Sequence, residues 1–578
     1  MRSSVERGRH DPIATALLLG ALALFAWTHR HTFALPGFAD DLGLLAEMPA
    51  RVADGTLGAD LSARWTGALW PGSTMWRPLP YASFALDGAL WGSAGGAWHV
   101  TNVVLHLINA ALTGWLAASL LRAFTAASDA ATVASQRLAA MAAAAMFLLA
   151  PWSPEVTLWL VGRFDGWVTS AALLATVAFV QAIDPTPPPR RRSEWALASI
   201  AAAAAAYASK ESAVVLPIWL FILFATHWLT CRQRSPLAPS ARAAAISADG
   251  YAAHRGRMLL GAHLVLASAY LLWRKHLFSG AATAVYGNGL QVDAAALLNA
   301  FLAHLAFPVG LASLASGAVL AASVVSVGLL VLLFVARPRG VALTAVAATA
   351  LAGCVLFGLA LYLPLAPGTG EGYRLYYLAT PGLVIAVAAA LIVAPRWAVI
   401  VATAVLLLSL AIWQNAVARE WTRAGREMTH LLHALPAAAA AQTAGDYTLL
   451  LVPDMRGHVP FGRNAQGALP VLADARQAAR DRPSSASVAV PTLSRLILFT
   501  PPQIAEWHQL ARESVVPAIA RRAGRTDAPA NPTQFACFDP ASGTIRLLGI
   551  WSADTSLDVW RLRWLRAAEV NCPSLLND

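Results

Sequence analysis

Several small groups of polar residues interrupt an otherwise apolar chain. Their types are those that proton transfer beside an anionic leaving group requires. Asp40 and Asp41 are adjacent carboxylates in the loop beyond the first apolar run. Arg77 stands in the segment Met75-Trp76-Arg77-Pro78-Leu79-Pro80, and His99, Asn102 and His106 enter the next apolar run within two helical turns. Further on come Glu155 with Arg163 and Asp165, the dipeptide Lys210-Glu211, and the segment Glu371-Gly372-Tyr373-Arg374-Leu375-Tyr376-Tyr377. A carboxylate can take a proton from a hydroxyl, and lysine or arginine can take up charge that develops on a departing phosphate. Ionisable groups at a bilayer are costly, so their clustering there argues for function.

The elements that carry these residues follow from composition. The chain has 578 residues, of which 57% are hydrophobic and 13% charged, with a mean hydropathy of +0.55. Soluble domains have roughly 45–50% apolar and about 25% charged residues, so this is a polytopic membrane protein. The net charge of +11 and pI of about 10.0 sit in short loops between apolar runs, where they act as topology signals; no nucleic-acid partner is implied. Four cysteines without C-x-x-C spacing give neither a zinc site nor a redox motif.

Apolar runs place spans near 12–28, 99–121, 137–151, 166–183, 195–208, 213–230, 258–277, 313–336, 341–363, 375–394 and 397–414, about eleven in all. The first follows Arg2, Arg7 and Arg9 and lacks a cleavage site, so it reads as an uncleaved anchor with the N-terminus in the cytoplasm. Arg190-Arg191-Arg192, the segment from Arg232 to Arg257, Arg337 with Arg339, and Arg396 then mark cytoplasmic loops. Keeping Arg337 inside makes 294–312 an interfacial or re-entrant helix and puts the C-terminus outside. The informative polar residues thereby collect at the external face.

After residue 414 the character changes. Residues 415–444 read as an amphipathic connecting helix and a small-residue linker, and 445–578 as a periplasmic α+β domain. Its expected strands are Thr448–Val452, Leu496–Phe499 and Ile545–Gly549, with a helix over Ile504–Arg522. Cys537 and Cys572 lie there, in a compartment that permits a disulfide between them.

Taken in order, the motifs resemble a known family. Trp76-Arg77-Pro78-Leu79-Pro80-Tyr81, Leu90-Trp91-Gly92 and His99-Val-Thr-Asn102-Val-Val-Leu-His106 resemble the Arg-Pro-Leu, Trp-Gly and His-x-x-Asn-x-x-x-His signature of membrane O-mannosyltransferase-like proteins of GT-C fold. Pro151-Trp-Ser-Pro-Glu155-Val156 with Gly162-Arg163-Phe-Asp165, Ser209-Lys210-Glu211, and Tyr373-Arg374-Leu375-Tyr376-Tyr377-Leu378 are similar to later segments of the same family. The resemblance covers roughly residues 12–414, and no TPR-type repeat follows it. It implies a polyprenyl-phosphate-sugar-dependent glycosyltransferase, inverting, with its site on the extracytoplasmic face; the uncleaved anchor, the Ala/Arg-rich composition and the external soluble domain suit a bacterial inner membrane. The partners implied are a polyprenyl-phosphate-linked sugar, a protein or envelope-glycan acceptor, and the bilayer. It also implies that Asp40 is the base and Asp41 its helper, while Lys210, Arg374 and Arg163 meet the donor phosphate. Arg77, His99, Asn102, His106, Glu155, Asp165, Glu211 and Tyr373 would support them.

Each of these residues has a plainer reading. Asp40 and Asp41 could cap a helix; Lys210-Glu211 and Arg163 with Asp165 could be structural ion pairs. His99, Asn102 and His106 suit interhelical hydrogen bonds better than a metal site, although a divalent cation stays open. A flippase or transporter of lipid-linked glycans, or a non-catalytic membrane protein with a periplasmic binding domain, are the alternative classes. A transporter should show internal repeats, and none is visible.

Overall fold

The computed structural model describes residues 11–70, 73–125, 130–184, 186–233, 239–278, 340–362, 373–392, 395–440, 448–457, 459–463, 465, 468–469, 472, 496–505, 533–551 and 557–576. The chain is a mostly helical multi-pass membrane protein with a small C-terminal α+β domain. Helix α1 (Pro12–Thr28) starts where the Asp11 carboxylate accepts the Ile13 N–H at 3.1 Å, and a proline in its first turn needs no donor there. Three helices, α2 (Asp40–Ala53), α3 (Leu57–Thr66) and α4 (Pro78–Trp91), follow it. The bundle continues with α5 (Gly95–Phe124), α6 (Ala130–Leu148), the short α7 (Ser153–Leu158), α8 (Arg163–Ile183), α9 (Pro189–Tyr207), α10 (Leu216–Gln233) and α11 (Pro239–Phe278). It closes with α12 (Gly340–Tyr362), α13 (Thr380–Leu391) and α14 (Arg396–Ala440).

Among the described residues, six segments are long and apolar enough to cross a membrane: Pro12–Ala34, Gly95–Phe124, Leu160–Ile183, Glu211–Thr230, Ala253–Phe278 and Arg396–Ala438. Three shorter apolar helices, Thr132–Leu148, Leu343–Gly358 and Thr380–Leu391, coincide with further spans read from the sequence. The run 195–208 lies in α9, whose first turn carries Arg190, Arg191 and Arg192. The span at 313–336 and the interfacial segment at 294–312 lie outside the described residues. Small residues let the helices approach closely: a side chain at Gly114 would meet the Ala140 carbonyl at 3.1 Å, across the α5–α6 contact.

Helix α14 is 45 residues long, about 67 Å at the α-helical rise, against the ~30 Å of a hydrocarbon core. Its first half is a membrane span and its second half projects beyond it. The two stretches that the sequence separates as a last span and a connecting helix are therefore one continuous element. Helix continues through Ala440, because the run Ala437–Ala440 consists of the strongest helix former.

The α+β domain has a four-stranded sheet in the order β4-β1-β5-β6, with β1 (Thr448–Leu451), β4 (Leu496–Phe499), β5 (Thr533–Asp539) and β6 (Thr544–Trp551). Strand β1 runs parallel to both β4 and β5, and all its residues are buried, as a central parallel strand requires. Strands β2 (Met455–Arg456) and β3 (Val459–Pro460) make a small separate pair. A helix at Leu557–Asn571 covers one face of the larger sheet, its Trp564 indole donating to the Ala536 carbonyl at 3.1 Å. Cys537 on β5 is disulfide-bonded to Cys572 just after that helix. Strand β5 had no sequence counterpart, and the helix expected at Ile504–Arg522 falls largely outside the described residues.

The other face of that sheet has no core of its own. Leu450, Val452, Phe461, Leu498 and Phe538 pack into one apolar cluster with Phe38, Leu42, Leu45 and Met48 of the segment after α1 and with Trp421 and Met428 of α14. The C-terminal domain and the loop that carries Asp40 and Asp41 thus share a single core.

Candidate active site

The stretch 155–165 is the hub of the polar network. Helix α7 ends at Trp159 in extended conformation, a 3-10 turn follows at Leu160–Gly162, and α8 begins at Arg163. Breaking the helix there frees backbone groups that burial does not allow to stay unpaired. Side chains from elsewhere take them up. Asp41 accepts the Leu160 N–H at 3.1 Å and the Val161 N–H at 2.9 Å. Asn102 donates to the carbonyls of Val156 and Trp159, both at 2.9 Å, and His99 Nδ1 lies 3.1 Å from the Thr157 carbonyl. Glycine is required at 162 because a Cβ there would sit 2.5 Å from the Glu155 carbonyl and 2.8 Å from the Val156 Cα.

Arg163 is 0% exposed and turned into the protein. It pairs with Asp87 at 2.5 Å, donates to Asn102 Oδ1 at 2.7 Å and to the Trp98 carbonyl at 2.8 Å, and lies 4.4 Å above the Phe84 ring. Its donors are directed at α4 and α5, away from any surface a phosphate could reach, so the donor-phosphate role expected for it gives way to a structural one. His106 is likewise held between helices, Nδ1 at 2.7 Å from the Tyr377 hydroxyl and Nε2 at 3.0 Å from the Leu148 carbonyl. That is the interhelical arrangement its sequence position suggests.

Lys210 and Arg374 meet at the far side of the hub. Lys210 Nζ is 2.5 Å from Asp165 Oδ1. Arg374 approaches Asp165 at 3.9 Å and Glu155 at 3.7 Å, while its backbone N–H donates to Glu155 at 3.1 Å. Its guanidinium stacks 4.3 Å over the Trp159 ring. Two carboxylates thus hold two cations in one place, and the longer pairs of Arg374 exceed hydrogen-bonding distance. Tyr373 opens the 3-10 turn Tyr373–Tyr376 that presents Arg374.

Beside this group Glu211 bridges two arginines. Arg77 grips it at 2.8 and 3.1 Å, and Arg274 at 3.2 Å. Arg274 escaped the sequence reading: in Trp273-Arg274-Lys275, at the end of an apolar run, it looks like one more charge marking a helix terminus.

Asp40 and Asp41 open α2, whose N-terminal dipole favours negative charge. Their environments differ. Asp41 is 0% exposed and accepts a third N–H, from Phe38 at 3.1 Å. Burial pushes its carboxyl up to about 8, against the opposing pull of the three N–H donors. Asp40 is half-buried. The preceding residue, Ala39, has φ 45° and ψ −117°, a conformation in which a non-glycine residue is strained. Its N–H donates to the Phe461 carbonyl of the C-terminal domain at 2.9 Å, which pins the strained turn in front of Asp40. Among the described residues no group of three His, Cys, Asp or Glu side chains is placed to hold a metal ion.

No family model and no curated protein matches the chain. Among solved structures it is similar to the crystal structure of ArnT from Cupriavidus metallidurans bound to undecaprenyl phosphate, with 13% identity, 91% of this chain and 93% of that chain covered, and a TM-score of 0.49. The same protein in the apo state gives 15% identity, the same 91% and 93% coverage, and a TM-score of 0.40. The Archaeoglobus fulgidus oligosaccharyltransferase complexed with zinc and sulfate gives 12% identity, 78% and 62% coverage, and a TM-score of 0.38.

Proposed function

We propose that this chain is a GT-C-type membrane glycosyltransferase that moves a sugar from a polyprenyl-phosphate donor to an acceptor hydroxyl, in the manner of the mannosyltransferase-like proteins its motifs resemble. The observation that carries the reading is that one short stretch, 155–165, holds both halves of the chemistry. Asp41 ties its Leu160–Val161 turn to the Asp40 loop, and its Glu155 and Asp165 ends hold Arg374 and Lys210. In this mechanism Asp40 accepts the proton of the acceptor hydroxyl as that oxygen attacks the anomeric carbon. The bond from that carbon to the phosphate oxygen breaks on the opposite side, so configuration inverts, and the phosphate keeps the bonding electrons. Lys210 and Arg374 take up the charge that develops there. Asp41 and Arg163 act as positioning residues.

The site faces outward in this reading. The opposite end of the bundle carries Arg190, Arg191 and Arg192 at the start of α9, and Arg396 at the start of α14, paired with Asp11 at 2.8 Å. Positive charge marks the cytoplasmic side, and the Cys537–Cys572 disulfide suits an oxidising periplasm. A reporter enzyme active only in the periplasm, fused after Asp578, is therefore expected to be active; activity of a strictly cytoplasmic reporter at the same position would reverse the topology.

The phosphate assignment is tested by binding. Lys210→Ala and Arg374→Ala are each expected to weaken polyprenyl-phosphate binding by about 10–100-fold, since a hydrogen bond to a charged group is worth ~1.5–3 kcal/mol. The double variant should lose less than the product of the two, because both groups meet one charge. Additive losses would contradict a shared charge, and unchanged affinity in either single variant would remove that residue from the phosphate site.

A further inference from the structure

Among the described residues Ala39 is the only non-glycine residue with a positive φ. Its φ of 45° and ψ of −117° lie near the ~60° and about −120° of the first central position of a type II′ turn, which glycine ordinarily fills because a Cβ is strained there. The Asp41 N–H closes the turn on the Phe38 carbonyl at 2.8 Å, so Asp40 is its second central residue. A residue in such a conformation persists only where its surroundings over-determine it. Here the hold comes from two directions. Asp41 accepts the Phe38 N–H at 3.1 Å while it also grips the backbone of Leu160 and Val161. The Ala39 N–H donates to the Phe461 carbonyl at 2.9 Å.

Phe461 belongs to the C-terminal domain, and its carbonyl is firmly placed. The Phe461 N–H donates to the Asp454 carbonyl at 2.9 Å and the Gly462 N–H to the Pro453 carbonyl at 3.0 Å, while Arg463 grips the Asp454 carboxylate at 2.6 Å. Strand β2 carries Arg456, which clamps Glu427 of α14 at 2.7 Å and donates to the Ser574 carbonyl at 3.1 Å. The Phe38 ring meets Trp421 of α14 edge-on at 5.3 Å, and Phe461 stacks on Phe538 at 6.4 Å. A turn that glycine could hold alone is thus built with alanine and held from a distant part of the chain. We propose that the docked C-terminal domain positions Asp40: the Phe461 carbonyl keeps Ala39 in its strained conformation, and a domain that lifts off lets Ala39 relax and withdraws the Asp40 carboxylate from the 155–165 stretch. Transfer then follows the docking of the domain. This assignment rests on the reading of Asp40 as the base and adds to it a positioning role for Ala39 and Phe461.

The test follows amide hydrogen exchange over residues 36–43 together with sugar transfer, on the purified full chain in lipid nanodiscs. Arg456→Met breaks the clamp between the domain and α14. Exchange over 36–43 should then speed up by about ten-fold or more, the population scale of the strain released, and kcat should fall by a similar factor with the donor KM unchanged. Adding Ala39→Gly to Arg456→Met should restore slow exchange and most of kcat, because glycine keeps this turn without an outside hold. A general loss of packing would not be rescued by a glycine. Should Arg456→Met fail to fold, Glu427→Gln loosens the same clamp while keeping its size, with the same expectations. Exchange no faster in either variant would mean that the turn holds itself and would overturn the proposal. So would faster exchange with kcat unchanged, or a loss of kcat that Ala39→Gly does not rescue. A wild type that transfers no sugar would overturn the proposed function, and the exchange results would still decide by themselves whether the domain holds the turn.

Discussion

Asp40→Asn is expected to lower sugar transfer by about 10²–10⁴, the usual contribution of a positioned general base, while the protein stays folded. The amide keeps the size of the carboxylate and removes the group that accepts the proton. Donor binding should be unchanged, because the phosphate contacts lie at the other end of the 155–165 stretch. Asp41→Asn separates chemistry from positioning. The Asp41 oxygens accept N–H groups from Phe38, Leu160 and Val161, and an amide would turn a donor toward one of them. That exchange should cost about 1–3 kcal/mol of stability, so Asp41→Asn should lower Tm, and Asp40→Asn should not. Transfer by Asp40→Asn at the wild-type rate would remove Asp40 from catalysis; a folded Asp41→Asn with the larger rate loss would assign the base to Asp41.

Arg163→Met should be the most damaging of the structural changes, about 3–5 kcal/mol, because it leaves Asp87 charged, buried and unpaired. Arg163 also ties Asn102 and the Trp98 carbonyl to the start of α8. Its loss should slacken the clamp on the 156–161 turn and reduce transfer as well. Lysine is not expected to rescue it, since one ammonium cannot reproduce a planar fork aimed at three partners. A second change, Asp87→Leu, should restore much of the stability without restoring the clamp. Thermal unfolding in detergent checks both statements, and a single Arg163→Met variant as stable as the wild type would contradict the buried-pair account.

Much of the membrane architecture is legible in composition, since apolar runs must become helices where no water can satisfy the backbone. The helical spacing of His99, Asn102 and His106 also points correctly to contacts between helices. The partners are less legible, because they are set by packing across long separations in sequence. Asp87 is a lone acid in an apolar helix, and nothing local ties it to Arg163. The Ala39–Phe461 hydrogen bond joins the loop after α1 to the C-terminal domain, and neither residue type advertises it. Sequence order suggests a linker and a separate domain where α14 is continuous and the core is shared. Alternation cannot reveal that sharing, because strand β1 is buried along its whole length.

The central claim is that this chain cleaves the bond between a sugar and a polyprenyl phosphate. Its most direct test is the release of undecaprenyl phosphate from undecaprenyl-phosphate sugars by the purified protein in lipid nanodiscs. The account requires release with the wild type that falls by about 10²–10⁴ with Asp40→Asn and depends on Lys210 and Arg374. Donors that stay intact with the wild type, across a panel of sugars and acceptors, would contradict it.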